Sequence, residues 1–171
     1  MGSVSVGPVG KLVRSPWDER GRGDVAQIFV SYNLSTLCTL QFLFYEDGNK
    51  LVLSKRHGVR GGVNFNTIVF DYPSEFLTSI AGSSRVAEDK LSVLSSTTFV
   101  TNKGSYGPFG IPSAGAKEFN FQIGNYRSLG GFWGSINRHG IESFGVYVMP
   151  ITTSMIRSII PLVKFEKEEK D

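Results

Sequence analysis

A chain of 171 residues is the size of one domain, long enough to bury roughly two-thirds of its unfolded surface around one core without covalent staples. Charged residues make up 19% of it and the formal net charge of +3 is scattered, so no nucleic-acid footprint is expected. The single cysteine, Cys38, excludes an intrachain disulfide and points to a reducing, cytoplasmic compartment, and no apolar run nears the ~20 residues that span a bilayer, so no membrane partner is expected.

The start, Met1 to Val6, has neither a basic segment nor an apolar one and predicts no leader peptide. In chain order, Val25 to Tyr32 reads as the first clear strand. Leu37 to Leu53 reads as a hairpin, with Cys38, Leu40, Phe42 and Phe44 on one side and Asp47-Gly48 as the turn. The sequon Asn33-Leu34-Ser35 lies between them and is expected to stay unmodified in a reducing compartment. Further strands are predicted over Phe65 to Tyr72, Glu75 to Ala81, Val93 to Thr101, Phe119 to Ile123 and Ser143 to Met149. Turns are predicted at Gly58, Gly61-Gly62, Gly82-Ser83-Ser84, Gly104, Gly107-Pro108, Gly110 to Pro112 and Gly130-Gly131. Short, regularly spaced strands with no long amphipathic helix between them define an all-β chain, folded as a sandwich, barrel or prism. Beyond Pro150 the pattern changes. Ile151 to Val163 is apolar and interrupted by Pro161, and Lys164 to Asp171 is nearly all charge. One domain over 1–150 and a C-terminal extension over 151–171 with a solvated tail is the expected organisation.

Chemistry-bearing residues are few. Two histidines, His57 and His139, with one cysteine and no HxxxH or CxxC spacing, give no basis for a metal site, and no cofactor motif is present. No GxSxG elbow presents a nucleophile. Glycosidase chemistry would need two of the carboxylates Asp18, Glu19, Glu46, Asp47 and Glu142 to face one another. No catalytic residue is assigned, and the chain is expected not to be an enzyme. What remains is Asn137-Arg138-His139-Gly140-Ile141-Glu142, read as a polar loop running into the strand from Ser143. Backbone N–H donors beside one carboxylate acceptor suit the vicinal hydroxyls of a sugar, and a plain hairpin loop is the alternative.

Several phrases resemble the jacalin-related lectin family. They are Gly7-Pro8-Val9-Gly10-Lys11 and Trp17-Asp18, Asp71 to Ile80 followed by Gly82, Thr101-Asn102-Lys103 with Tyr106 to Gly110, and Gly131-Phe132 leading to Gly145 to Val148. The resemblance runs in order from about residue 7 to 150. It implies a β-prism I fold, three four-stranded Greek-key sheets about a pseudo-threefold axis, and binding of mannose-type or galactose-type sugar ends at one apex. Carried over by position, the carbohydrate-binding residues would be Gly10 near the N-terminus and the stretch Arg138, His139, Gly140, Ile141 and Glu142.

The match departs from the family pattern there. Arg138 stands where the family has glycine, Glu142 stands where it has aspartate, and the loop is about one residue longer. The resemblance therefore implies two outcomes. The first is a lectin for mannose-type glycans, and the second is a prism with a decayed sugar site acting through protein partners in plant antiviral defence. Homo-oligomers are common in the family, and Ile151 to Val163 could serve one or cover an edge strand.

Overall fold

The computed structural model describes residues 4–9, 15–47, 49–126, 129–150 and 153. Gly10 and, apart from Thr153, the extension 151–171 lie outside the described residues. The described residues form thirteen strands: β1 (Val4–Val9), β2 (Pro16–Arg20), β3 (Val25–Asn33), β4 (Thr36–Glu46), β5 (Lys50–Leu53), β6 (His57–Gly58), β7 (Asn64–Val69), β8 (Leu77–Val86), β9 (Ser92–Thr101), β10 (Ser105–Gly110), β11 (Lys117–Gln122), β12 (Leu129–Asn137) and β13 (Gly140–Val148).

They make three sheets with the orders β1-β13-β12-β2, β5-β4-β3-β7 and β10-β9-β8-β11, here the first, second and third sheet. In each, a long central hairpin is flanked on both sides by shorter strands. The strand after the hairpin pairs with its second arm and the next one returns to its first arm, which is the Greek-key order. The first sheet follows the same rule with its outer strands drawn from the N-terminus, so β1 and β2 close a prism that β12 and β13 complete. In the second sheet one outer position is broken in two: β5 pairs with Leu43 to Glu46 and β6 with Thr39 and Leu40.

The threefold character reaches single side chains. Each central hairpin carries a cross-strand hydroxyl pair, Ser31 with Thr39, Ser83 with Ser96 and Ser135 with Ser143, with oxygens 2.5, 2.6 and 2.7 Å apart. In all three the pairing register shifts immediately afterwards, towards the hairpin tip. Outer-strand glycines lie opposite two of these pairs. A Cβ on Gly58 or Gly110 would stand 2.0 Å from the Cys38 carbonyl oxygen or 2.2 Å from that of Ser95, so the outer strand can close only with glycine.

On the axis the sheets meet through rings. Phe42 of the second sheet stacks on Phe132 of the first at 4.1 Å, Phe132 lies 5.7 Å from Phe144, and Phe144 meets Phe99 of the third sheet edge-on at 6.4 Å. All four are fully buried, and such rings contribute beyond their buried area alone.

Several glycines expected in turns lie inside strands. Gly82 belongs to β8, Gly107 and Gly110 to β10, and Gly130 and Gly131 to β12. At Gly82 a side chain would strike both the Ser96 carbonyl at 2.2 Å and the Phe119 ring at 2.7 Å. Close approach between neighbouring strands, not chain reversal, is the reason for glycine there.

Candidate functional site at the hairpin tips

The three central hairpins turn at the same end of the prism, the apex. Arg85 of β8 donates from Nε to the Ser35 carbonyl at 3.0 Å and from Nη2 to Thr36 Oγ1 at 2.9 Å. Asn137 Nδ2 donates to the Ser92 carbonyl at 2.7 Å, and a Cβ on Gly140 would lie 2.4 Å from the Leu37 carbonyl oxygen. These contacts pin each tip to the next.

The stretch 137–142 differs from the expected loop. Strand β12 runs to Asn137 and β13 begins at Gly140, so Arg138 and His139 alone make the turn. Gly140, the first residue after the turn, takes φ +147, a conformation that favours glycine. His139 N–H donates to Asn137 Oδ1 at 2.9 Å, closing the turn on itself. Ile141 and Glu142 are consequently strand residues. Ile141 is fully buried in the core and cannot offer an exposed backbone rim, and Glu142 is 1% exposed. Its Oε1 accepts from Ser135 Oγ at 3.0 Å and its Oε2 from Asn137 Nδ2 at 2.9 Å. The carboxylate expected to face a ligand is turned inward to tie β12 to β13, because the extra methylene and the strand phase carry it under the turn.

The carboxylate that engages Arg138 and His139 at this tip is the half-buried Asp89, in the connection between β8 and β9. Arg138, 69% exposed, pairs through Nη2 with Asp89 Oδ2, and His139 Nε2 lies 2.9 Å from the same oxygen. Asp89 Oδ1 accepts the Leu91 N–H at 3.1 Å. Burial alone would raise the Asp89 carboxyl, but the Leu91 N–H, His139 and Arg138 outweigh it and hold the group down at about 2. A charged carboxylate, a guanidinium and an imidazole thus converge on one exposed turn. Of the expected residues, Arg138, His139 and Gly140 are together here, Ile141 and Glu142 lie beneath them, and Gly10 is outside the described residues. Asp89 was not legible as a site residue because its contact with Arg138 spans 49 positions; the turn signature Glu88-Asp89-Lys90, with Lys90 at φ 70, marks it as a hairpin tip and nothing more.

A second polar region lies along the corner between the first and second sheets. A cleft of about 460 Å³ there is lined by Trp17, Glu19, Arg22, Arg56 and His57 among others. Glu19 accepts from Arg22 Nε at 2.9 Å and bonds His57 Nε2 at 2.8 Å, while Arg22 Nη1 reaches Glu46 at 2.9 Å. Two carboxylates with a guanidinium held between them form a structural bridge, not an acid and base flanking a scissile bond. Burial pushes the Cys38 thiol up, away from the reactive thiolate. Among the described residues no group of three or more metal-ligating side chains is clustered.

Much of the sequence that carried the resemblance gathers at the opposite end. Glu75, 5% exposed, accepts from Thr101 Oγ1 at 2.7 Å, Tyr106 O–H at 2.8 Å and the Asp71 N–H at 3.0 Å. Asn102 accepts from the Phe76 N–H and donates to the Ser74 carbonyl, both at 2.9 Å, and Lys103 reaches Asp71 at 2.8 Å. This clasp joins the entry to β8 with the β9–β10 turn.

Three Greek-key sheets around one core, with a polar convergence at one end, define a prism-shaped, lectin-like scaffold. Residues 6–147 match the Jacalin-like lectin domain, and the chain belongs to that family. It is 39% identical over 155 residues to the protein RESTRICTED TEV MOVEMENT 1 of Arabidopsis thaliana, covering 87% of this chain and 88% of that protein. Single-chain recombinant jacalin superposes with a TM-score of 0.78 at 29% identity, over 88% of this chain and 96% of that one. A mannose-binding jacalin-related lectin from Ananas comosus gives 0.76 at 28% identity, over 88% and 100%.

Proposed function

We infer that this chain is a carbohydrate-binding lectin for mannose-type glycans, with its ligand seated at the apex on the β12–β13 turn and without catalytic activity. The supporting observation is the convergence of the half-buried Asp89 and His139 with the exposed Arg138. One carboxylate that accepts from two hydroxyls, beside a cation and a ring nitrogen that donate, matches the alternating donor and acceptor demand of a sugar. The resemblance to the mannose-binding lectin of Ananas comosus supports mannose over other sugars. With the inward Glu142 carboxylate engaged, Asp89 takes the acceptor role, and Arg138, His139 and Gly140 frame the site above Ile141 and Glu142. Titration of mannosides and of a glycan panel against the purified chain tests this; silence at tens of millimolar ligand would reject it.

A second reading is favoured by one feature of the same turn: the Asp89 oxygens are already engaged by Arg138, His139 and Leu91. A charged hydrogen bond contributes about 1.5–3 kcal/mol and a millimolar ligand is held by only about 4 kcal/mol, so displacing these partners could cancel sugar binding. The chain would then be a scaffold whose protein contacts serve plant antiviral defence, as its likeness to RESTRICTED TEV MOVEMENT 1 suggests, in the reducing cytoplasm that its single cysteine favours. The double substitution Arg138→Gly with Glu142→Asp separates the readings. Sugar binding that appears only in the double variant supports decay, and binding already present in the native chain supports the lectin.

A further inference from the structure

Eight large apolar side chains are exposed among the described residues. Four of them, Leu51, Leu53, Phe65 and Val69, belong to strands β5 and β7 of the second sheet. The other four gather at the hairpin-tip end, where Leu34, Val63, Val86 and Ile111 are 73%, 83%, 65% and 55% exposed. They lie far apart in the chain, which is why the sequence alone predicts no membrane partner. The turn between β3 and β4 brings them together residue by residue. Asn33 Oδ1 accepts the Val63 N–H at 3.0 Å, the Leu34 carbonyl accepts the Ile111 N–H at 2.6 Å, and the Ser35 carbonyl accepts from Arg85, the neighbour of Val86. Arg60, Arg85, Lys90 and Lys117 stand at the same end, and none of them is paired with a carboxylate among the described residues. Against them are the exposed Glu88 and Glu118, while Asp89 is already paired with Arg138, so the crown of aliphatic side chains sits in a net positive surround.

We propose that this end docks on an anionic phospholipid bilayer, with Leu34, Val63, Val86 and Ile111 sunk among the headgroups and the cations beside them on the lipid phosphates. Two features select that occupant. The first is charge: apolar insertion and attraction to anionic lipid act together at such a surface, and each lysine or arginine near it strengthens binding about fivefold. The second is composition. Protein hot spots are built on Trp, Tyr and Arg anchors that enter a pocket, with Leu and Val under-represented. This crown is aliphatic only and is spread over separate turns, which suits a yielding surface that closes around each side chain. No helix among the described residues is long and apolar enough to cross a membrane, so the contact is peripheral and reversible.

Co-sedimentation of the full-length chain with phosphatidylcholine vesicles, with and without about 30% phosphatidylserine, tests this at roughly 0.05 and 0.5 M salt. The vesicles carry no sugar, so the outcome does not depend on the lectin reading. Unchanged far-ultraviolet circular dichroism and melting temperature certify that each variant is folded. The native chain should pellet with phosphatidylserine vesicles, and less with phosphatidylcholine alone or at the higher salt. The double variant Leu34→Asp with Val63→Asp should lose about tenfold or more in partitioning and Arg60→Gln about fivefold, while Leu53→Asp, away from the crown, should pellet like the native chain. Equal partitioning into both kinds of vesicle would overturn the anionic choice, and a double variant that pellets like the native chain would overturn the crown. A native chain that pellets with neither would overturn the proposal outright and leave these side chains to a protein partner.

Discussion

The two ends of the prism use carboxylates in opposite ways. At the end away from the hairpin tips, Glu75 is buried and takes donors from three separate segments, a clasp that the fold needs closed. At the apex, Glu142 is equally buried and ties two strands, while the half-buried Asp89 is clamped by His139 and the exposed Arg138. Buried acceptors with dedicated partners hold the scaffold; on the proposed reading, the shallower acceptor with partners from an exposed turn exchanges them for a ligand. Matching residues to a family by position cannot tell the two apart, because what separates them is depth.

Substitutions should grade accordingly. The largest effect is expected for Glu75→Ala, which removes one buried acceptor shared by the buried Thr101 hydroxyl and the less buried Tyr106 hydroxyl and Asp71 N–H, and a loss of about 2–4 kcal/mol by urea unfolding is the expected outcome. Glu142→Ala leaves Ser135 its bond to Ser143 and Asn137 its bond to the Ser92 carbonyl, so a smaller loss of about 1–2 kcal/mol is expected. If Glu142→Ala instead left stability unchanged and altered sugar binding, the contrast between inward and outward carboxylates would be broken. Lys103→Ala removes an exposed ion pair at the clasp and should cost less than about 1 kcal/mol.

The smallest change in stability is expected for Asp89→Asn, and its signature is pH. Because the folded carboxyl titrates near 2 and an unfolded aspartate near ~3.9, the clamp's contribution is complete above about pH 4 and disappears as pH falls through 2. The stability difference between native and Asp89→Asn should therefore be flat from neutral pH to about 4 and close below it. A difference that stayed constant down through pH 2 would show that the charge on Asp89 does not hold the clamp.

The sequence disclosed the scaffold more readily than the site. Alternation such as Phe119-Asn120-Phe121 and the Asp47 turn revealed β11 and the β4–β5 hairpin, because a half-buried strand writes its phase into neighbouring residues. Strands β2, β10 and β12 were harder to read. Their glycines and prolines imitate turns, yet serve close approach between strands, and their pairing partners lie far away in the chain. The turn at Arg138-His139 was readable as polar but not as two residues long. Whether β13 began at Gly140 or at Ser143 decided whether Glu142 faced outward, and strand boundaries are set by cross-strand pairing that local sequence does not record. Asp89 came from a different sheet and had no local signal tying it to residue 138.

The most direct test of the apex assignment is a calorimetric titration of a mannoside into the native chain, Asp89→Asn and Glu142→Gln, each confirmed as folded. Measurable binding to the native chain, lost at least tenfold in Asp89→Asn and largely kept in Glu142→Gln, is the expected result. Binding indifferent to Asp89, or abolished solely by Glu142→Gln, would contradict it and return the ligand to the buried carboxylate.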